Sequence, residues 1–167
     1  MLFRSQIGWR QMRHLYRYES ISTATRIYGV VADPVAHSLS PVVHNAALEA
    51  AGIDAVYIPF RVPAEQIDDF LASAAEWPLT GLSVTIPHKE AVLKHVADQE
   101  ELVTAIGATN TLSFEPAGVA AFNTDANAAV ESLKAALVER EYDGTEMPKH
   151  GQGFGLKTAL VLGAGGA

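Results

Sequence analysis

The chain has no cysteine among its 167 residues. Disulfides, thiolate metal sites and a cysteine nucleophile are excluded, and the absence fits a reducing compartment, so a cytoplasmic location is expected. No run of 18 apolar residues occurs, so no membrane-spanning helix is expected. Basic charge is not in excess: the formal net charge is −7, which argues against a nucleic-acid partner. The histidines at 14, 37, 44, 88, 95 and 150 show no metal-ligand spacing such as His-Glu-x-x-His, so no metal is expected. No Gly-x-Ser-x-Gly elbow is present, which removes the usual setting of a serine nucleophile. Internal repeats and low-complexity tracts are absent as well.

What is present suits one globular domain of ordinary size, with 49% hydrophobic residues to build a core. Charge is unevenly spread. Residues 1–26 hold five arginines and one acid, Glu19, while the remainder is strongly acidic. In that first stretch Trp9, Met12 and Tyr16 recur at helical spacing, with arginines on other faces. It reads as an arginine-rich targeting segment, a leader, or the tail of a preceding domain.

From Arg26 onward, strands and helices alternate. Residues 26–33 form an apolar, β-branched run ended by Pro34, a strand expected at the centre of a sheet. Ser40 suits an N-cap and Pro41 the first helical position. That helix should run to about Ala51 and end at Gly52, turning Val43, Ala46, Ala47 and Ala50 inward. Residues 55–62 read as a strand, placed at an edge or bulged by Pro59. A helix from Pro63 to about Ala75 carries Ile67, Phe70, Leu71 and Ala74 on one stripe. Residues 82–86 form a strand ended by Pro87, after which Lys89 opens a helical run to Val96. Residues 99–106 read as a second short helix closed by Gly107. Residues 108–114 and 119–122 read as a hairpin around Pro116-Ala117-Gly118. A long helix from Asn123-Thr124-Asp125 to about Glu141 has Ala126, Val130, Leu133 and Leu137 on its apolar stripe. The alternation predicts an α/β fold: a mostly parallel open sheet with helices on both faces. Residues 27–141 are expected to form this domain. Residues 142–157, polar and glycine-rich, read as a linker. Residues 158–167 read as a buried-type strand running into the glycine turn Gly163-Ala164-Gly165-Gly166-Ala167, the opening of a Rossmann domain.

Several polar residues fall at strand ends or helix starts, the rim where open α/β sheets bind ligands. Lys89, at the end of a strand, either faces solvent or binds an anion and moves a proton. Ser38 and Ser40 stand two apart at a helix start. Ser40 either only caps the helix, or both hydroxyls join the helix's unpaired N–H groups in a carboxylate cradle. Asp125 in a first helical turn suits the macrodipole, or orients a substrate hydroxyl and tunes Lys89. Asn110, polar in a strand suited to burial, satisfies a backbone group or faces a polyhydroxylated ligand. The glycine turn lets backbone N–H groups approach a pyrophosphate, or is disordered.

Together these pieces resemble shikimate dehydrogenase. The resemblance is carried, in order and spacing over residues 27–167, by five motifs: His37-Ser38-Leu39-Ser40-Pro41; Ser83-Val84-Thr85-Ile86-Pro87-His88-Lys89; Gly107-Ala108-Thr109-Asn110-Thr111; Asn123-Thr124-Asp125; and Gly163-Ala164-Gly165-Gly166-Ala167. It implies NADP-dependent interconversion of 3-dehydroshikimate and shikimate in aromatic amino-acid biosynthesis. It implies that Ser38 and Ser40 bind the substrate carboxylate, that Thr85 and Asn110 contact ring hydroxyls, and that Lys89 and Asp125 are the catalytic pair in contact with substrate. It implies that Gly163, Ala164, Gly165, Gly166 and Ala167 begin the cofactor site. The Ser83 position is often Asn in the family, and a serine is shorter. Residues 5–17 loosely resemble the end of a type I 3-dehydroquinate dehydratase, as in fusions of the two enzymes. The implied partner is a small-molecule substrate, with neither nucleic acid nor membrane; a homodimer is left open. The alternatives are a shikimate- or quinate-binding module without catalysis, a quinate dehydrogenase, and a folate-type dehydrogenase. The family's cofactor domain continues past the glycine turn, so residues 1–167 alone are expected to transfer no hydride from NADPH. Robust turnover in an NADPH absorbance assay would contradict this.

Overall fold

The computed structural model describes residues 7–141, Ala75 excepted. Its strands are β1 (Arg26–Ala32), β2 (Ala55–Arg61), β3 (Leu79–Val84), β4 (Asp98–Gln99), β5 (Thr111–Glu115) and β6 (Gly118–Phe122). They form one sheet in the order β2-β1-β3-β5-β6-β4. β1 pairs in parallel with β2 and β3, and β4 in parallel with β6, whereas β5 runs antiparallel to both β3 and β6. The α helices are α1 (Ser40–Ala50), α2 (Ile67–Ala74), α3 (Glu101–Ile106) and α4 (Thr124–Glu141). The mixed α/β sheet agrees with the expected class. Among the described residues no helix is long and apolar enough to cross a membrane.

Period-two alternation explains the two faces of the sheet. Val31, Val84, Leu82, Leu112 and Ala121 lie in register on one face and are buried. The stripe predicted for α2 covers them, with Ile67, Leu71 and Ala74 in the same core and Phe70 packed at its margin. The opposite face carries Tyr28, Val30, Ser83 and Thr111: Val30 is buried, whereas Ser83 and Thr111 are small, polar and half-buried, and α1 covers its β2 side. Gly29 has its reason in β1: a Cβ there would come within 2.5 Å of the Ile58 carbonyl oxygen and 2.6 Å of the Phe60 ring.

Several elements depart from expectation. α1 buries Pro41 and Asn45, while Val42 and Val43 are 53% and 61% exposed and Ala46, Ala47 and Ala50 are exposed too. The cause is polar. β2 is the edge strand that Pro59 suggested, and the outward N–H and C=O of Tyr57 would otherwise be unpaired. Asn45 answers both: its Oδ1 accepts from Tyr57 N at 2.9 Å, and its Nδ2 donates to Tyr57 O at 2.7 Å and to Pro41 O at 2.8 Å. That pairing sets the rotation of α1. β3 begins at Leu79 and stops at Val84, because His88 N bonds to Thr85 O at 2.9 Å and closes a turn, leaving Ile86 exposed.

After Lys89 the chain forms only a 3-10 turn, Ala91–His95. Asp68 of α2 holds that turn, accepting from Lys94 Nζ at 2.6 Å and pairing with His95 Nε2 at 2.8 Å. The chain then enters β4, so the second short helix starts at Glu101 rather than Gln99, and β5 starts at Thr111 rather than Ala108. In α4, Val130 and Leu133 are 41% and 49% exposed, so the predicted stripe is uncovered by described residues. The Leu137 side chain, the linker at 142–157 and the strand and glycine turn at 158–167 lie outside the described residues.

Residues before β1 lie against the domain. Tyr16 is buried, Arg17 donates to the Ala55 carbonyl at 3.2 Å, and the Trp9 and Tyr18 rings are 5.5 Å apart.

Replacing Asn45 with Ala strips both partners from a buried edge backbone. Each orphaned group costs about 1–3 kcal/mol. Asn45→Ala is therefore expected to lower the unfolding free energy by about 3 kcal/mol, read from a urea midpoint at unchanged slope. A loss below about 1 kcal/mol would show that the edge is satisfied in another way.

Candidate active site

Strand direction gathers the polar residues. β1 and β3 are parallel, so their carboxyl ends share a rim, joined by the bond from Thr85 N to Val31 O at 3.2 Å. The segment after β1 carries Ser38 and Ser40, and the turn after β3 carries Thr85 and Lys89. β5 runs the other way, so its beginning lies at that rim, where Val84 N donates to Asn110 O at 2.8 Å. β6 reverses again, pairing Phe122 with Thr111, and delivers the start of α4 to the same place. Ser38, Ser40, Thr85, Lys89, Asn110 and Asp125, all singled out from sequence, line one cleft of about 700 Å³.

At its centre Lys89 Nζ donates to Asp125 Oδ2 at 2.7 Å. The lysine side chain is 19% exposed and the aspartate 56%. The Lys89 bond holds the Asp125 carboxyl below its usual range, against the opposing effect of partial burial and with help from Asn110. Asn110 Nδ2 donates to Asp125 Oδ1 at 2.7 Å and to Thr124 Oγ1 at 2.8 Å, while its Oδ1 accepts from Thr124 N at 3.0 Å and from Thr111 Oγ1 at 2.9 Å. The carboxamide is thus fully engaged in this arrangement, and a ligand hydroxyl that used it would have to take over one of these bonds.

The serines differ from the simplest expectation. Ser40 is already helical, Leu39 occupies the cap position, and no side chain caps α1. Ser38 Oγ instead accepts from Ser40 N at 3.3 Å. Val42 N and Val43 N both bond to Leu39 O, at 3.0 and 3.1 Å, and Pro41 has no N–H. The early N–H groups of α1 are therefore occupied, so the capacity to hold an anion there rests on the two hydroxyls and the helix dipole.

Further residues support the site without touching its centre. Asn123, in the Asn-Thr-Asp motif, is the buried cap of α4: its Oδ1 accepts from Ala126 N at 3.2 Å and its Nδ2 donates to Ala108 O at 2.9 Å. An asparagine just before a helix is a legible capping signal. Thr109 is fully buried and donates to Phe122 O at 2.6 Å, fixing the neck of Asn110. Tyr57 donates to Ser83 Oγ at 2.8 Å, and the His44 ring stacks on Tyr57 at 4.2 Å. Burial pushes the Tyr57 phenol above its ordinary pKa, opposed by hydrogen bonding to neighbouring serines. The shorter Ser83 is thereby tied to the cleft floor, a contact between distant strands that no local pattern announces. Gly163, Ala164, Gly165, Gly166 and Ala167 lie outside the described residues. Among the described residues no cluster of three or more histidines and acids is placed to hold a metal.

The family model for the shikimate dehydrogenase substrate binding domain matches residues 30–112. The chain is 45% identical over 141 residues to the NADP(+) shikimate dehydrogenase of Methanocella arvoryzae, covering 84% of this chain and 46% of that protein. The crystal structure of Aquifex aeolicus shikimate dehydrogenase superposes with a TM-score of 0.66 at 36% identity, covering 69% of this chain and 43% of that one. The Thermus thermophilus shikimate 5-dehydrogenase, solved with NADP(H) and shikimate, superposes with a TM-score of 0.63 at 35% identity, covering 68% and 43%. The chain spans about half the length of the curated relatives it matches.

Lys89→Ala should let the Asp125 carboxyl pKa rise toward the usual range, observed by carbon NMR. The sign follows from linkage: a carboxyl depressed by folding adds stability above its unfolded pKa and loses it as pH falls through the folded value. The pair's share of stability should therefore vanish under acid conditions, and it should be small at any pH because Asp125 is half exposed to screening solvent. An Asp125 titration that ignores Lys89→Ala would contradict the pairing.

Proposed function

The chain belongs to the shikimate dehydrogenase family through its substrate-binding domain, and from that premise we propose that its protein interconverts 3-dehydroshikimate and shikimate with NADP(H). The observation that carries the proposal is the Lys89–Asp125 pair at 2.7 Å, inside a cleft lined by paired serines and by Asn110. A carboxylated ring bearing several hydroxyls needs an anion-binding end, hydroxyl partners around the ring, and a proton-handling group at one oxygen. The cleft offers each in the residues that the family resemblance marks for these roles.

Ser38 and Ser40 donate to the substrate carboxylate. Thr85 and Asn110 orient ring hydroxyls. When bound, NADP(H) supplies or accepts the hydride at the substrate carbon; the residues that would hold it lie outside the described chain. Lys89 acts at the oxygen on that carbon. One of its three N–H bonds is committed to Asp125, which leaves donors for the substrate. As the carbonyl is reduced, negative charge develops on oxygen, and Lys89 stabilises it and gives up a proton. In the oxidative direction the hydroxyl proton returns by the same route. Asp125 holds the amine in place, and its lowered pKa keeps it ionised as the partner of Lys89.

Two measurements test the proposal. Lys89→Ala in the complete enzyme should lower kcat by about 10²–10⁴, the usual worth of positioned acid–base catalysis, with the fold retained by circular dichroism. Ser38→Ala should act mainly on shikimate affinity, raising KM by about tenfold, since one charge-assisted hydrogen bond is worth about 1.5–3 kcal/mol. Near-normal turnover by Lys89→Ala would reject the catalytic reading, and an unchanged KM in Ser38→Ala would reject the carboxylate cradle.

A further inference from the structure

The turn that carries Lys89 hangs on a side chain that the chemistry above does not use. His88 is fully buried. Its Nε2 lies 2.8 Å from the Val62 carbonyl oxygen, across 26 residues of sequence. A carbonyl only accepts, so Nε2 carries a hydrogen. Nδ1 has no partner among the described residues. Leucine or phenylalanine would fill comparable volume without leaving a polar atom unpaired, so packing alone does not account for an imidazole at this position.

The bond spans one strand, β1. Val62 follows the last residue of β2 and is tied by its own N–H to Ala32 O at the end of β1, at 3.1 Å. β1 separates β2 from β3 in the sheet. The His88 ring thus hooks the turn after β3 to the end of the strand beyond β1. On the other side of the turn, Thr109 N donates to Lys89 O at 2.9 Å. Lys89 sits between these two anchors. A lysine side chain is long and has many rotamers, so where Nζ dwells depends on where its Cα is held.

We propose that His88 is a positioning residue for Lys89, its Nε2–H bond to Val62 setting the turn so that Nζ meets Asp125. What this placement serves rests on the catalytic reading of the pair; the placement itself does not.

The test uses the chain itself. A glutamine amide nitrogen falls near the position of Nε2 and an asparagine amide nitrogen near that of Nδ1, so the two variants report which nitrogen matters. The Asp125 carboxyl, titrated by carbon NMR, reports the nearness of Lys89. His88→Gln is expected to keep the Asp125 titration close to that of the unsubstituted chain. His88→Asn and His88→Leu are expected to move it most of the way to its position in Lys89→Ala, with the amide resonances of α4 unchanged. Nitrogen NMR of the unsubstituted ring should show the hydrogen on Nε2. A ring with its hydrogen on Nδ1 would overturn the proposal, as would folded His88→Asn or His88→Leu with Asp125 unmoved. If both of those variants unfold, a displaced Asp125 titration in folded His88→Gln overturns it and an undisplaced one upholds it. An Asp125 shift accompanied by undiminished turnover in the complete enzyme upholds the positioning role and removes the dehydrogenase role from the pair.

Discussion

One carboxamide holds the site together. Asn110 lies between strands, with its carbonyl accepting from Val84 and its N–H donating to Phe122 O. Its side chain then grips the first turn of α4 through Thr124 and Asp125. The Lys89–Asp125 ion pair could not do this alone. A pair as exposed as this one is worth about 0–1 kcal/mol, too little to restrain a helix end. Bonds rooted in the backbone of β3, β5 and β6 supply the restraint, and the ion pair forms within the frame they create. Asp125 is thereby held beside Lys89 by the fold itself, the kind of preorganisation that the proposed stabilisation of a developing charge would use.

The frame depends on strand direction. Two parallel strands end at the rim, one antiparallel strand begins there, and the hairpin partner returns to it. Four segments far apart in sequence are brought within hydrogen-bonding distance of one another. The two sheet faces divide the work. The face with Leu82, Val84 and Leu112 is closed by α2 and its neighbours and supplies cohesion. The face with Ser83 and Thr111 is left open beside α1 and becomes the cleft. Small polar side chains on that face would be a poor core, and they make a suitable floor for a hydroxylated ligand.

Legibility varied from element to element. Pro59 marked an edge strand because a missing N–H has a direct topological consequence, and β2 is at the edge. The α2 stripe was legible because its apolar spacing and its buried face coincide. In α1 they do not coincide. Its alanines and valines suggested an inward face, yet Asn45 turned the helix to satisfy Tyr57, since an orphaned backbone pair costs more than exposing a few small apolar groups. Periodicity counts apolar residues and cannot see an unpaired edge on another strand. The 3-10 turn after Lys89 escaped for a similar reason: its sequence suits a helix, but β4 must be reached within a few residues. Of the site, six of the lining residues were legible from their motifs, whereas Tyr57, Thr109 and His88 were not, because each acts through a backbone or side-chain partner at least 13 residues away.

By itself the sequence determined the residue types and their order: a strand-and-helix alternation, an absence of thiols, and a lysine, an aspartate, an asparagine and paired serines placed at element ends. Those follow from local chemistry, since propensity, capping and the fixed φ of proline act within a few residues. The tertiary structure alone decided that these groups share one cleft, that Asn110 spends its amide on α4, that α1 shows its apolar stripe outward, and that a buried histidine hooks the Lys89 turn to Val62. Each of these depends on distances across the sheet, and such distances exist only after the strands have chosen their neighbours.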